Sequence, residues 1–505
     1  MKNLLGRPLS ALMIAAFAFF TVPAWAVEGS KIPAHPSQLE YEALKFDVPD
    51  PDKYRFDLPT GHEAWIAEDR SLPLVTVSLS LKIGAFLDPR EMTGLASLTG
   101  TMMRNGGTTS MSAEEFDERA AFLAADLSSY TGDTGGGASV NCVTYQMDAC
   151  LELFFDMVKN PRFQQSRLDV EKGKILENLK QRNDHAQSIF SREWQLLLYG
   201  SEHYSSWFMT KEHLDRIDRD ALIDFHKKYW RPKNITVTVT GDVDKKAIAK
   251  KVSDYLTDWS DEGAPDVPWP PPKPDFTPTP GLYHVEKDIP QGRVGIGHLT
   301  YQRTNWDDLD PIALRVMNEI LGGGGFTSRI TKRIRSDEGL AYSAGSRLSV
   351  GNYWPGVFRV GFQSKSPTVA YAAKIAVEEL RRIREELVSD EELTVAKNSF
   401  IETFPLSFES PGQVVRTFAG DSFIGRPHDY WEKYRDRIRA VTAEDVRRVA
   451  KKYIHPDKLV FLVVGKWEDI APGDPDGRAT MKEFFGGKVT HLPLRDPLTL
   501  EALEP

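Results

Sequence analysis

The chain holds eleven histidines. No two of them stand with a glutamate as H-E-x-x-H or H-x-x-E-H, spacings that set two imidazoles and a base on one helix face. No G-x-S-x-G elbow and no Cys–His signature marks a covalent nucleophile. Gly322 to Gly325 are consecutive glycines, but no G-K-[ST] follows, which argues against a phosphate cradle. The glycine run opens the stretch L-G-G-G-G-F-T-S-R-I-T-K-R-I-R-S-D-E-G-L-A-Y-S (Leu321 to Ser343), in which Arg335 and Tyr342 stand seven apart. A guanidinium and a phenol can together hold a peptide carbonyl and the negative charge that develops on it under attack. Spacing alone favours Arg335 as a solvated helix residue and Tyr342 as part of a strand core.

A second stretch, Gly94 to Thr108, reads G-L-A-S-L-T-G-T-M-M-R-N-G-G-T. It resembles the active-site helix of the pitrilysin/insulinase family of zinc metallopeptidases, where G-x-A-H-x-x-E-H-M precedes a short Gly-Thr loop. In that family the two His hold zinc and the Glu activates water. The resemblance puts Ser97 and Thr101 in the His positions and Gly100 in the Glu position. The family's third ligand is a Glu in a pattern like E-R-x-x-V-x-x-E. Here the stretch from Glu171 reads E-K-G-K-I-L-E-N, and that ligand position falls on Asn178. Neutral Ser, Thr and Asn oxygens do not supply the donors Zn²⁺ prefers. The Leu321–Ser343 run resembles the signature of the family's second domain, whose Arg and Tyr face the catalytic chamber opposite the zinc. Residue by residue these are Arg335 and Tyr342.

The elements that must position these residues are written twice. Leu214 to Val243 and Ile438 to Trp467 each read as a helix with an acidic start, a Pro, then an apolar strand ending in Gly. Tyr229 and Tyr453, Pro232 and Pro456, and Gly241 and Gly465 are each 224 residues apart, which identifies a duplication. Val75, Val77, Leu79, Leu81 and Ile83 alternate with polar residues as a half-buried strand, and Val369 to Leu387 is apolar at helical spacing. The expected fold is α+β, with two homologous halves, each a largely antiparallel sheet covered by helices. The family resemblance implies the same, with the halves around a chamber. The halves span 27–258 and 282–470, with a tail at 471–505. The linker, 259–281, includes G-A-P-D-V-P-W-P-P-P-K-P-D-F-T-P-T-P-G and reads as a stiff extended strap.

Residues 1–26 read as a secretory signal peptide: Lys2 and Arg7, an apolar run, then Ala24-Trp25-Ala26. The expected location is periplasmic or secreted, with cleavage after Ala26 and no stable membrane insertion afterwards. Cleavage removes two basic residues and shifts the net charge from −9 to −11, which argues against nucleic acid as a partner. Cys142 and Cys150 are the two cysteines. In an oxidising compartment they are either bridged or two buried thiols.

In two-subunit members of this family, related to mitochondrial processing peptidase, one chain carries H-x-x-E-H and a homologue contributes the Arg/Tyr pair. The resemblance therefore implies a non-catalytic subunit of a heterodimeric zinc peptidase. On this reading the chain holds no cofactor of its own, and the zinc sits in a homologous H-x-x-E-H partner. The substrate is peptide or unfolded polypeptide, captured partly as an added strand on a sheet edge. The alternative is an inert scaffold or peptide-binding protein of the same fold.

Overall fold

The computed structural model describes Leu39 and residues 45–504, so the signal-peptide segment lies outside the described residues. The first half contains β1 (Arg55–Asp57), β2 (Glu63–Glu68), β3 (Leu74–Leu81), β4 (Asp126–Thr131), β5 (Gly136–Val143) and β6 (Ile235–Gly241). The second contains β7 (Gly281–Glu286), β8 (Gln291–Leu299), β9 (Ala344–Leu348), β10 (Val357–Lys365) and β11 (Val460–Gly465). The tail adds β12 (Val489–Leu492). Along β3, Val75, Val77, Leu79 and Leu81 are buried while Thr76, Ser78 and Ser80 are half-buried, the period of a strand with one face on a core.

Two six-stranded sheets result, ordered β1-β2-β6-β3-β5-β4 and β12-β7-β11-β8-β10-β9. Five strands of each correspond across the duplication. Pairing is mostly antiparallel, with β2 parallel to β6 and β7 parallel to β11. The sixth strand has a different origin in each sheet. In the first it is β1, antiparallel to β2; in the second it is β12, parallel to β7. Beyond β12 the tail returns to the first half, where Asn183 Nδ2 donates to Arg495 O (2.7 Å) and Arg495 pairs with buried Glu193 (3.1 Å). The repeated helices Arg219–Tyr229 and Ala443–Tyr453 start at Asp218 and Thr442, whose side chains cap the N-terminal N–H groups.

The halves exchange helices. Ala186–Tyr199, from the first half, lays Ile189, Phe190, Trp194 and Leu198 against Val285, Val460, Leu462 and Val464 of the second sheet. Pro411–Ile424, from the second half, covers β2 and β6 of the first sheet. There Phe418 stacks on fully buried Trp65 with ring centroids 5.6 Å apart. Each such buried aromatic contributes roughly 1.5–3 kcal/mol relative to exposure, so each sheet depends on the other half for its cover. The Pro-rich strap touches both halves near its middle. His203 Nε2 donates to Pro272 O (2.9 Å), and the Trp269 ring lies 5.2 Å from Tyr353 and 6.2 Å from Phe86.

Cys142 and Cys150 are free, buried thiols, and burial pushes the Cys142 thiol up to about 12. Among the described residues no helix is long and apolar enough to cross a membrane.

Two buried histidines fix the second sheet in a neutral state. His298 Nδ1 donates to Leu299 O (2.8 Å) while Nε2 accepts the His455 N–H (3.0 Å). His284 Nε2 donates to Gly465 O (2.8 Å), and its Nδ1 meets His491 Nδ1 at 2.9 Å. A second proton on His298 would point at a backbone N–H, and one on His284 at another imidazole. Burial, foremost, lowers both to about 4 from an ordinary 6.5. The unfolded chain therefore takes up these protons first as pH falls. Their stabilisation is complete above about pH 6.5 and is lost toward about pH 4, at up to ~1.4 kcal/mol per pH unit for each ring. Denaturant midpoints measured from about pH 7 to about pH 4.5 should fall steadily, and His298→Gln should flatten the slope. A flat wild-type profile would contradict this assignment.

Candidate functional site

Three arginines lie on the segment that carries the Arg/Tyr signature, and their surroundings separate them. Arg329 is buried and bidentate to Glu392, Nε to Oε1 at 2.6 Å and Nη2 to Oε2 at 2.8 Å. Burial opposes ionisation of Glu392, but Arg329 and the Ser389 N–H outweigh it and hold the carboxyl at about 2. Arg333 turns to the other side and binds Glu379 and Glu378, both at 2.9 Å. Both are structural anchors. Thr331 Oγ1 adds a third by donating to Ala344 O (2.8 Å), which ties the segment to β9.

Arg335 has no carboxylate partner among the described residues. Its guanidinium lies between two rings, 4.3 Å from the centroid of Phe326 and 4.5 Å from that of Tyr342. Cation–π attraction of this kind fixes the plane and leaves the N–H edges free. The backbone from Lys332 to Asp337 is π-helical, a widened turn that recurs at functional sites. Tyr342 is 84% exposed and Phe326 is 62% exposed, so neither ring belongs to a core. All three line a cleft of about 1240 Å³ over the second sheet, which Gln187 of the first half's helix Ala186–Tyr199 also lines. The structure thus joins Arg335 and Tyr342 in one cleft. Phe326 was not singled out in the sequence, although an aromatic directly after the glycine run was there to be noticed.

The four positions that the resemblance equates with zinc ligands and base form no such group. Ser97, Gly100 and Thr101 lie on helix Leu95–Asn105, and Asn178 is exposed on helix Gln165–Lys180. Thr101 Oγ1 donates to the Ser97 backbone carbonyl one turn back (3.1 Å), so its hydroxyl is engaged within the helix. Among the described residues no hydrogen bond joins Asn178 to Ser97 or Thr101. None of the four lines the Arg335 cleft.

Gly100 is the decisive position. A Cβ built there would lie 2.3 Å from Thr131 N and 2.5 Å from Tyr130 C, both backbone atoms of edge strand β4. Ser129 Oγ on the same strand donates to Gly100 O (2.6 Å). β4 lies against the helix at Gly100 and leaves no room for a side chain there. The second half has the same device: a Cβ on Gly322 would meet Ser346 N of edge strand β9 at 2.5 Å. The residues at these positions therefore fit neither zinc nor its base, in donor chemistry or in space. Among the described residues no three His, Cys, Asp or Glu side chains cluster as metal ligands.

Comparison with known proteins places the chain in a family. Residues 65–205 match the family model described as insulinase (peptidase family M16), and residues 216–400 match that of the peptidase M16 inactive domain. A Helicobacter pylori protein named non-peptidase homolog YmxG is 23% identical over 401 residues, 79% of this chain and 90% of that one. The probable mitochondrial-processing peptidase subunit beta of Arabidopsis thaliana is 20% identical over 82% of this chain and 78% of its own length. In fold, the crystal structure of a peptidase M16 inactive domain from Pseudomonas fluorescens superimposes with a TM-score of 0.72 at 23% identity, covering 83% of this chain and 98% of that one. The chain belongs to the insulinase (M16) peptidase family.

Proposed function

We propose that this chain is the non-catalytic subunit of a heterodimeric, exported zinc peptidase. It offers Arg335 and Tyr342 to peptide held in the active site of a homologous H-x-x-E-H partner. The partner supplies the metal and the base. One observation carries this reading: an arginine without a carboxylate is clamped between exposed rings in a large cleft, while its two neighbouring arginines are both neutralised. An inert scaffold has no use for that difference. Arg335 would grip a substrate carbonyl through its free N–H edge, and the Tyr342 hydroxyl would donate to the same oxygen as charge develops on it.

The expected behaviour is a stable complex with an exported H-x-x-E-H homologue after co-expression, seen by size-exclusion chromatography, with peptide cleavage in the mixture alone. If this chain elutes by itself and leaves the homologue's turnover unchanged, the subunit reading fails and the scaffold reading takes its place.

A further inference from the structure

The cleft that holds Arg335 is far more cationic than the pair needs. Arg293, Arg315, Arg335, Arg347, Arg359 and Lys365 line it, against one carboxylate, Glu319, which already accepts from Ser399 Oγ (2.8 Å). None of the six cations has a carboxylate within ion-pair distance among the described residues, although most arginines elsewhere on the signature segment and its neighbours do. This concentration sits in a protein whose net charge is −9. Two of the other cations also sit near aromatic rings, at longer range than Arg335. The Arg293 guanidinium lies 5.9 Å from the Phe190 ring, and that of Arg359 lies 5.5 Å from Phe190 and 5.9 Å from Trp194. Arg359 and Arg347 are direct cross-strand neighbours on β10 and β9, where like charges destabilise the pair. Burial, then the charges of Arg293 and Arg347, hold the Arg359 guanidinium below its usual range.

The floor between them is open at Gly361. Its cross-strand partners are covered, Gly295 by the Phe190 ring and Gly345 by Gly322 O. A methyl built on Gly361 would meet nothing nearer than 3.8 Å, so an extended backbone can lie close to the sheet there. Uncompensated, partly desolvated cations around an open backbone floor are an arrangement that carboxylates relieve. We infer that the cleft selects extended peptide segments rich in Asp and Glu, with Arg347, Arg359 and Lys365 receiving their side chains beside the backbone gripped by Arg335. This deepens the subunit reading above by naming its substrate class. A nucleic acid would offer anions too, but the acidic remainder of the chain would repel a long polyanion running beyond the cleft.

The test is binding by the chain alone, so it does not depend on finding the partner. A fluorescein-labelled decapeptide of alternating Gly and Glu is compared with its Gly/Gln and Gly/Lys counterparts by anisotropy, since alternate side chains of a strand share a face. The Glu peptide should bind at least about tenfold more tightly than the Gln peptide, and the preference should collapse at about 0.5 M salt. Arg347→Gln with Lys365→Gln, both exposed positions, should lower its affinity about tenfold at a melting temperature no lower than wild type, since the like-charge pair with Arg359 is relieved. Equal binding of the three peptides, unaltered binding in the double variant, or preference for a thymidine decanucleotide over the Glu peptide would each overturn the inference. Should the acidic preference hold while no partner complex forms, the inference stands and the subunit reading falls. Should the complex form and cleave without charge preference, the inference falls alone.

Discussion

Tyr342→Phe lowers kcat of the assembled complex by about 10²–10³-fold and changes KM little. A hydroxyl that donates mainly to the developing oxyanion stabilises the transition state more than bound substrate, and such losses appear in kcat. The phenyl ring stays, so the stack on Arg335 at 4.5 Å is preserved. Arg335→Ala should affect both parameters, because a guanidinium also grips the ground-state backbone. It additionally unclamps Phe326 and Tyr342. Arg335→Lys is the informative companion: charge is kept, but the planar fork that lies between the rings is lost, so little activity should return. Neither side chain is buried in a core, so melting temperature and assembly should stay near wild type. Normal turnover per assembled complex in both variants would leave the chain a scaffold.

The second large effect concerns the closed zinc site. Restoring the family residues with Ser97→His, Gly100→Glu, Thr101→His and Asn178→Glu should give a less stable protein and no peptidase. The reason is geometric. Any side chain at position 100 starts 2.3 Å from a backbone nitrogen of β4, and a backbone cannot swing away as a side chain would. Gly100→Ala isolates the effect because two magnitudes oppose each other there. Helix propensity alone favours Ala over Gly by about 1 kcal/mol, whereas forcing one extra methyl into a filled contact costs about 1–3 kcal/mol or more. The steric term wins, and the substitution should lower the denaturant midpoint. A midpoint that rises would show that β4 leaves room. Metal analysis after dialysis should find no stoichiometric zinc in the wild type or in the fourfold variant, and one tightly bound zinc in the wild type would refute the reading of Ser97, Gly100, Thr101 and Asn178.

The sequence made much of this architecture legible, because period and punctuation are local. The alternation around Val77 is a strand, and the helix–Pro–strand–Gly unit recurs in space with its spacing intact. Contacts between distant segments carry no such mark. The seating of Phe190 over Gly295, and of Phe418 on Trp65, joins residues far apart in sequence whose apolar character suits any core. That β12 would come from the tail and run parallel to β7 was equally hidden, since a short edge strand of mixed polarity has no strong periodic signal. At the site, Arg329, Arg333 and Arg335 look alike in one dimension. They are separated by Glu392, Glu378 and Glu379 on later helices, and by the ring of Phe326. The close approach of β4 to Gly100 likewise leaves no mark in one dimension.

The central claim is that this chain completes a site it does not itself contain. The most direct measurement titrates it into a fixed amount of the zinc-bearing homologue and follows peptide turnover. Turnover should climb from near zero and level off at one chain per homologue, and the Tyr342→Phe chain should saturate at the same ratio with a plateau about 10²–10³-fold lower. A flat line from the wild-type chain, or an equal plateau from the variant, would contradict it.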